Sequence, residues 1–258
     1  GMSLPVPVTS RDNPLLKELR KVAQDNTGYR KSGRFWIEGD HLCSAALQRG
    51  LKPVVAVFTE DYWPVAPAEY KGVAIKSIVI PAALFHELSG LESPAGVGFV
   101  LDLPTDPVLQ PLAATVILDR VQDAGNVGSI LRSAGAFGFK QVVALKGTAA
   151  LWSPKVLRAG MGAHFGLHLM EGAELSALDA LRVPIVVTSS HRGEWIQDLR
   201  LPQPCAWAMG HEGQGVCSEL MDRAQLFARI GQPGGGESLN VAAAAAICLH
   251  TSSLALRA

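Results

Sequence analysis

The chain has 258 residues, of which 48% are hydrophobic and 18% charged, with 23 basic side chains against 23 acidic ones. That length suits one large or two modest domains with a sizeable core, and zero formal charge confines any nucleic-acid binding to a local patch. No run reaches the roughly 18 apolar residues of a membrane span, GMSLPVPVTS lacks the pattern of a signal peptide, and Cys43, Cys205, Cys217 and Cys248 form no C-x-x-C pair, which argues against a zinc or disulfide framework and for reduced thiols in the cytoplasm.

Residues 9–50 read as a helix, a break, a short strand and a second helix. Ser10 or Asp12 can cap the first helix, with Pro14 in its first turn, and Leu15, Leu16, Leu19 and Val22 give it an apolar face. Seven basic residues, Arg11, Lys17, Arg20, Lys21, Arg30, Lys31 and Arg34, stand here against Asp12, Glu18 and Asp25. Tyr29, Phe35 and Trp36 lie among them. Guanidinium and ammonium groups beside aromatic rings suit RNA, where cations meet phosphates and rings stack on unpaired bases. The bland reading of the same residues is a solvated helix face. FWIEG, VVAVFT, AIKSIVI and VGFVLDL read as strands, and DHLCSAALQRG and PAALFHELSG as helices, which makes a small α/β layer domain. Pro104, Pro107 and Pro111 mark a linker, so residues 1–104 and 105–258 are the expected domains.

Beyond the linker, TVILD, QVVAL, HFGLHL, PIVVTS, CAWAM and LFARI are short apolar runs separated by helical segments. Several show no polar alternation, as expected of parallel strands buried on both faces. Ligands of such sheets bind at the carboxyl ends of the strands, and three strand ends carry unusual loops: DRVQDAGNVGSILRSAG, MGHEGQGV and IGQPGGGESLN. Asn126 is a good N-cap for a helix ending near Gly138. Arg132 needs a carboxylate, phosphate or ring as partner. Glu212 lies between Gly210, Gly213 and Gly215 and suits an anchor for a loop or for Arg132. Ser238 is placed to cap the alanine-rich last helix.

The last loop nearly matches a phosphate-binding G-x-x-x-x-G-K-[ST] loop from Gly231 to Gly236. Glu237 stands where the lysine belongs, and a carboxylate there repels phosphate. A dinucleotide G-x-G-x-x-G pattern is missing from DAGNVGSILRSAG. No histidine spacing suggests a metal site.

Read together, Asn126-x-Gly128-x-x-x-Arg132, Gly210-x-Glu212-x-x-Gly215 and the Ser238–Ala242 stretch SLNVA resemble, in order and spacing, the three signature motifs of the SpoU, or TrmH-like, RNA 2′-O-ribose methyltransferases. SRDNPLLKEL, RFWIEGDHL and SPAGVGFVL resemble the family's substrate-binding domain. The resemblance implies an α/β fold whose C-terminal domain carries a trefoil knot, a rare exception to unthreaded connections, behind a small N-terminal RNA-binding domain like a ribosomal protein. It implies S-adenosylmethionine as methyl donor, held by backbone at Gly210, Ile230 and Leu239 with Thr188 joining, and a homodimer through the C-terminal domain. It places Asn126, Arg132, Glu212, Ser238 and Asn240 in the catalytic site, and Arg11, Lys17, Arg30, Lys31 and Arg34 on RNA, ribosomal before transfer. Arg132 suits orienting the target ribose or phosphate and stabilising charge on the 2′-oxygen; whether it also acts as the base stays open. The alternative is a non-catalytic RNA-binding protein on the same fold, which intact Asn126 and Arg132 argue against.

Overall fold

A computed structural model describes residues 4–235 and 238–256; Gly236 and Glu237 of the glycine loop lie outside the described residues. The chain divides into two compact units, Gly1–Thr105 with Trp152–Phe165, and Asp106–Leu151 with Gly166–Ala258. The sequence predicts an unbroken second domain, whereas the segment Trp152–Phe165 packs with the first unit.

The first unit runs β1 (Val6–Pro7), α1 (Pro14–Gln24), α2 (Gly28–Ser32), β2 (Arg34–Glu38), α3 (Asp40–Gln48), β3 (Val55–Thr59), β4 (Lys76–Ile80), α4 (Ala82–Leu88) and β5 (Val97–Asp102). Its sheet has the order β1-β4-β3-β5-β2, with β1, β4 and β3 parallel and β5 antiparallel to both β3 and β2. Asn13 caps α1, its side chain accepting from Leu15 N at 2.9 Å, in place of the expected Ser10 or Asp12. Pro14 follows at the first helical position, where its missing N–H costs nothing. The period-two alternation of β2 sends Trp36 into a core with Leu16, Leu19, Val57, Ile78, Phe85 and Val100 and Phe35 and Ile37 to the opposite face.

The second unit begins with β6 (Thr115–Asp119), α5 (Ala124–Ala136) and β7 (Gln141–Leu145). The chain then makes its excursion to the first unit through α6 (Pro154–Gly160), which packs on β2. Phe35 lies against Trp152 with ring centroids 4.7 Å apart and against Phe165 at 6.4 Å. Residues 163–166 form a short 3-10 turn, so HFGLHL is only partly strand. The rest is β8 (His168–Ala173), β9 (Ile185–Thr188), β10 (Glu194–Trp195), β11 (Ala206–Gly210), α7 (Ser218–Asp222), β12 (Leu226–Arg229) and α8 (Val241–Ser253). The seven strands are all parallel, in the order β10-β12-β9-β11-β6-β7-β8. This is the mixed α/β fold with a buried parallel sheet that the apolar runs predict.

The order reverses between β6 and β11. From β6 the chain proceeds outward to β7 and β8, then returns to build β9, β11 and β12 on the other side. Such a switch leaves a crevice at the strand carboxyl ends. Two helices flank it. Helices α5 and α8 run side by side in the same direction, because Asn126 meets Asn240 at their starts and Phe137 meets His250 at their ends with centroids 5.3 Å apart. Ser252 fastens α8 to the sheet by accepting from Trp207 Nε1 at 2.7 Å. Alanines at 242 and 245 let the helix lie close to its neighbours, and both are buried with Cys248 and Leu249.

Candidate active site

The three motif loops meet at the start of α5. Asp123, not Asn126, is the N-cap: its carboxylate accepts from Asn126 N at 2.8 Å. Asn126 therefore sits in the first turn with its side-chain amide free for other work. That amide donates from Nδ2 to Glu212 Oε2 at 3.2 Å and accepts at Oδ1 from Asn240 Nδ2 at 3.1 Å. Glu212 also accepts from Gln122 N at 2.9 Å and Asp123 N at 2.7 Å. Asn240 in turn caps α8, accepting from Ala242 N and Ala243 N at 2.9 and 3.2 Å; the cap expected at Ser238 is here. One side chain from each motif thus makes a continuous chain, Glu212–Asn126–Asn240, at the N-terminal ends of two parallel helices.

Burial pushes the Glu212 carboxyl up, but the N–H groups of Gln122 and Asp123, its own backbone N–H and the Asn126 amide outweigh this and bring its pKa down to about 2. The positive ends of α5 and α8 favour the same ionised state. Glu212 is therefore a fixed anion and an anchor for the 120–126 loop. It is engaged with that loop and not with Arg132. Arg132 lies six residues past Asn126, roughly 9 Å along the helix axis and about a third of a turn around it. It is exposed on the outer face of α5 near Ser129 and Ala136.

Sequence reasoning overlooked a second clasp. Asp119 ends β6 buried, and its Oδ2 accepts from Cys217 N at 2.7 Å. Arg120, in the left-handed region at φ 62, donates to Asp119 from Nε at 3.1 Å and Nη2 at 3.3 Å, to Gln214 Oε1 at 2.8 Å and to Gly215 O at 3.2 Å. The hydrogen bond to Asp119 raises the Arg120 pKa further. His211 Nδ1 accepts from the backbone N–H of Gly213 and of Gln214, both at 3.0 Å, which leaves its proton on Nε2 facing Gln122 Oε1 at 3.3 Å. The signal available in the sequence was an Asp-Arg pair at the end of a buried apolar strand. Charges are rarely put there without a partner.

Beside this cluster lies a cavity of about 670 Å³ at the ends of β9 and β12, a size suited to a nucleoside-like ligand. Trp195, Ile230, Leu239 and Ala244 give it apolar walls, and Thr188, Ser189 and Ser238 give it hydroxyls. Thr188, Ile230 and Leu239, expected to hold the donor, line it, as does Ser238, expected in the catalytic site. Gly210 does not, and its backbone has another demand: a Cβ there would lie 2.3 Å from Gly215 C and Val216 N. A larger cavity of about 790 Å³, bordered by Ile196, Leu201, Thr251 and Leu254, contains none of the motif residues.

The SpoU rRNA Methylase family profile matches residues 113–250, more than half of the chain. The chain belongs to the SpoU rRNA methylase family. An MRM3-like substrate binding domain matches residues 13–98. Over 249 residues the chain is 29% identical to the 23S rRNA (guanosine(2553)-2′-O)-methyltransferase RlmP of Bacillus subtilis, covering 94% of this chain and 97% of that one. It is 37% identical over 142 residues to the 23S rRNA (guanosine-2′-O-)-methyltransferase RlmB of Coxiella burnetii, covering 54% and 57%. The crystal structure of an AdoMet-bound rRNA methyltransferase from Sinorhizobium meliloti superposes with a TM-score of 0.83 at 27% identity, covering 98% of each chain.

The first unit departs from one expectation. Tyr29, Phe35 and Trp36 are each only 2% exposed, so these rings are core and cannot stack on RNA bases. Both faces of that sheet are covered, and a sequence alternation cannot reveal which aromatic remains outside. Of the expected RNA-binding cations, Arg11 pairs with Glu87 at 3.0 Å and Arg34 with Asp102 at 3.2 Å. Arg30 lies over the Tyr29 ring at 5.6 Å, and Lys17 and Lys31 are exposed. Among the described residues no group of three His, Cys, Asp or Glu side chains could hold a metal ion, and no helix is long and apolar enough to cross a membrane.

Proposed function

We propose that the protein is an RNA 2′-O-ribose methyltransferase that uses S-adenosylmethionine and acts on large-subunit ribosomal RNA. The observation that carries this reading is the Glu212–Asn126–Asn240 chain, which ties the three family motifs into one site beside a cavity of nucleoside size. RlmP, the rRNA 2′-O-methyltransferase similar along nearly the whole chain, and the AdoMet-bound structural neighbour support substrate and donor. The donor supplies an electrophilic methyl on a positive sulfur, and the C–S electron pair returns to sulfur as the new O–CH₃ bond forms. The protein must align the ribose hydroxyl and take up its proton. Thr188, Ile230 and Leu239 would hold the donor, while Gly210, Glu212 and Asn240 fix the loops around it. Ser238, exposed at the cavity, is free to contact either substrate. Arg132, exposed and without a partner among the described residues, suits the RNA side of the reaction. Lys17 and Lys31, with Arg11, Arg30 and Arg34, form the cationic surface we assign to RNA.

We also infer the trefoil knot and a homodimer. From β12, outside β9, the chain has to recross β9 and β11 to bring α8 against α5, a path that supports threading. Ala243, Ile247, His250 and Leu254 form an exposed stripe along α8, a surface suited to a second copy.

Mapping 2′-O-methyl positions in cellular RNA with and without the protein tests the function. Loss of a position in large-subunit rRNA is expected, and persistence of every position would remove the cellular role. An Arg132→Ala protein should bind S-adenosylmethionine normally and lose at least about a hundredfold in transfer rate; unchanged transfer would take Arg132 out of the mechanism.

A further inference from the structure

We propose that Arg229 recognises the α-carboxylate of the donor's methionine tail, with Trp195 as the platform that holds the guanidinium at the cavity. This rests on the donor reading above and names the group that the reading leaves unassigned. The parallel pairing of β10 with β12 sets Trp195 opposite Arg229, so both side chains leave the same face of the sheet. The Arg229 guanidinium lies 4.3 Å from the centroid of the indole ring, a cation–π distance. Its Nε donates to Gly193 O at 2.8 Å. Gly193 has φ +89, and a Cβ there would fall 1.9 Å from Phe227 O, so only glycine lets this carbonyl come close enough to β12.

Stack and hydrogen bond use one face and the Nε of the guanidinium. Among the described residues neither Nη group has a protein partner, and Arg229 is the only charged side chain lining the cavity. An arginine oriented this way presents a planar fork that fits a carboxylate with two parallel hydrogen bonds. The donor carries one carboxylate, at the end of its tail. Arg229 directly precedes Ile230, which lines the same cavity, so one strand end offers both an apolar contact and an anion site.

Calorimetry with S-adenosylhomocysteine and with methylthioadenosine, which lacks the aminoacyl tail, tests the assignment. In Arg229→Ala the affinity for S-adenosylhomocysteine should fall about tenfold or more, while methylthioadenosine binds as it does to the unaltered protein. Arg229→Lys keeps the charge without the fork; it should show the same selectivity in smaller measure, and it carries the test if the alanine protein does not fold. Equal losses for both ligands would overturn the assignment and make Arg229 a loop support. Normal S-adenosylhomocysteine binding with weakened RNA binding would overturn it in favour of an RNA phosphate. Failure of the unaltered protein to bind either nucleoside would instead sink the donor reading.

Discussion

At the scale of single residues, the site is a set of carboxylates and amides tied across the three motifs, Glu212 to Asn126 and Asn126 to Asn240. Glu212 shows what this does to protonation. Its pKa in the folded chain, about 2, lies below the ordinary 4.5, so the ionised group stabilises the fold fully above the ordinary value and progressively less as pH falls through that window toward about 2. Glu212→Gln puts an NH₂ where Glu212 now accepts from backbone N–H, and donors then face donors. The substitution should lower unfolding free energy near neutrality by about 1 kcal/mol, a value kept small because the carboxylate is solvent-exposed. Denaturant titrations across pH should find the gap between the two proteins constant above about 4.5 and closing below it; a gap independent of pH would refute the anchor role. The residue-level reading of the sequence found Asn126, Glu212 and Asn240 but misplaced the caps of both site helices. Asp123 and Asn126, like Ser238 and Asn240, are both competent capping types within a few positions. Only the hydrogen bonds decide which of each pair starts the helix and which is released for the site.

At the scale of elements, the strand ends and their loops were legible because buried parallel strands leave unbroken apolar runs, and glycine-rich stretches at their ends have few other uses. TVILD, QVVAL, CAWAM and LFARI all became strands of one sheet. The two-residue strand β10 was not legible: Glu194 and Trp195 are exposed and carry no periodicity, and their importance comes from facing β12. The Asp119–Arg120 clasp was missed for a related reason, since its partners lie more than 90 residues away. Gly210 illustrates a motif position whose demand is steric. Gly210→Ala would drive a methyl into the backbone of residues 215 and 216, and relieving that overlap should cost about 1–3 kcal/mol. The expected outcome is a lowered melting temperature together with weakened donor binding, because the loop that carries Glu212 must move. Calorimetric melting and donor titration check this, and an alanine protein with native values for both would show that the loop has slack.

At the scale of the whole molecule, two matters follow from surfaces and from chain path. Ile247 and Leu254 are 38% and 47% exposed on the stripe of α8, and a second copy would cover them. Ile247→Asp should convert a dimer into a monomer in light scattering, whereas a monomeric unaltered protein would remove the dimer from the reading. The chain path sets an order of events during synthesis. The first unit receives Trp152, Phe165 and the helix between them only after the Asp106–Leu151 part of the second unit, about a third of it, has been made. A nascent chain that has emerged no further than residue 105 therefore carries a sheet whose Phe35 face lacks the cover of Trp152 and Phe165. The first unit cannot complete its core on the ribosome before the second unit is under way. An isolated fragment ending at the proline-rich linker should be prone to aggregation, while one that supplies residues 152–165 as a separate peptide should recover solubility.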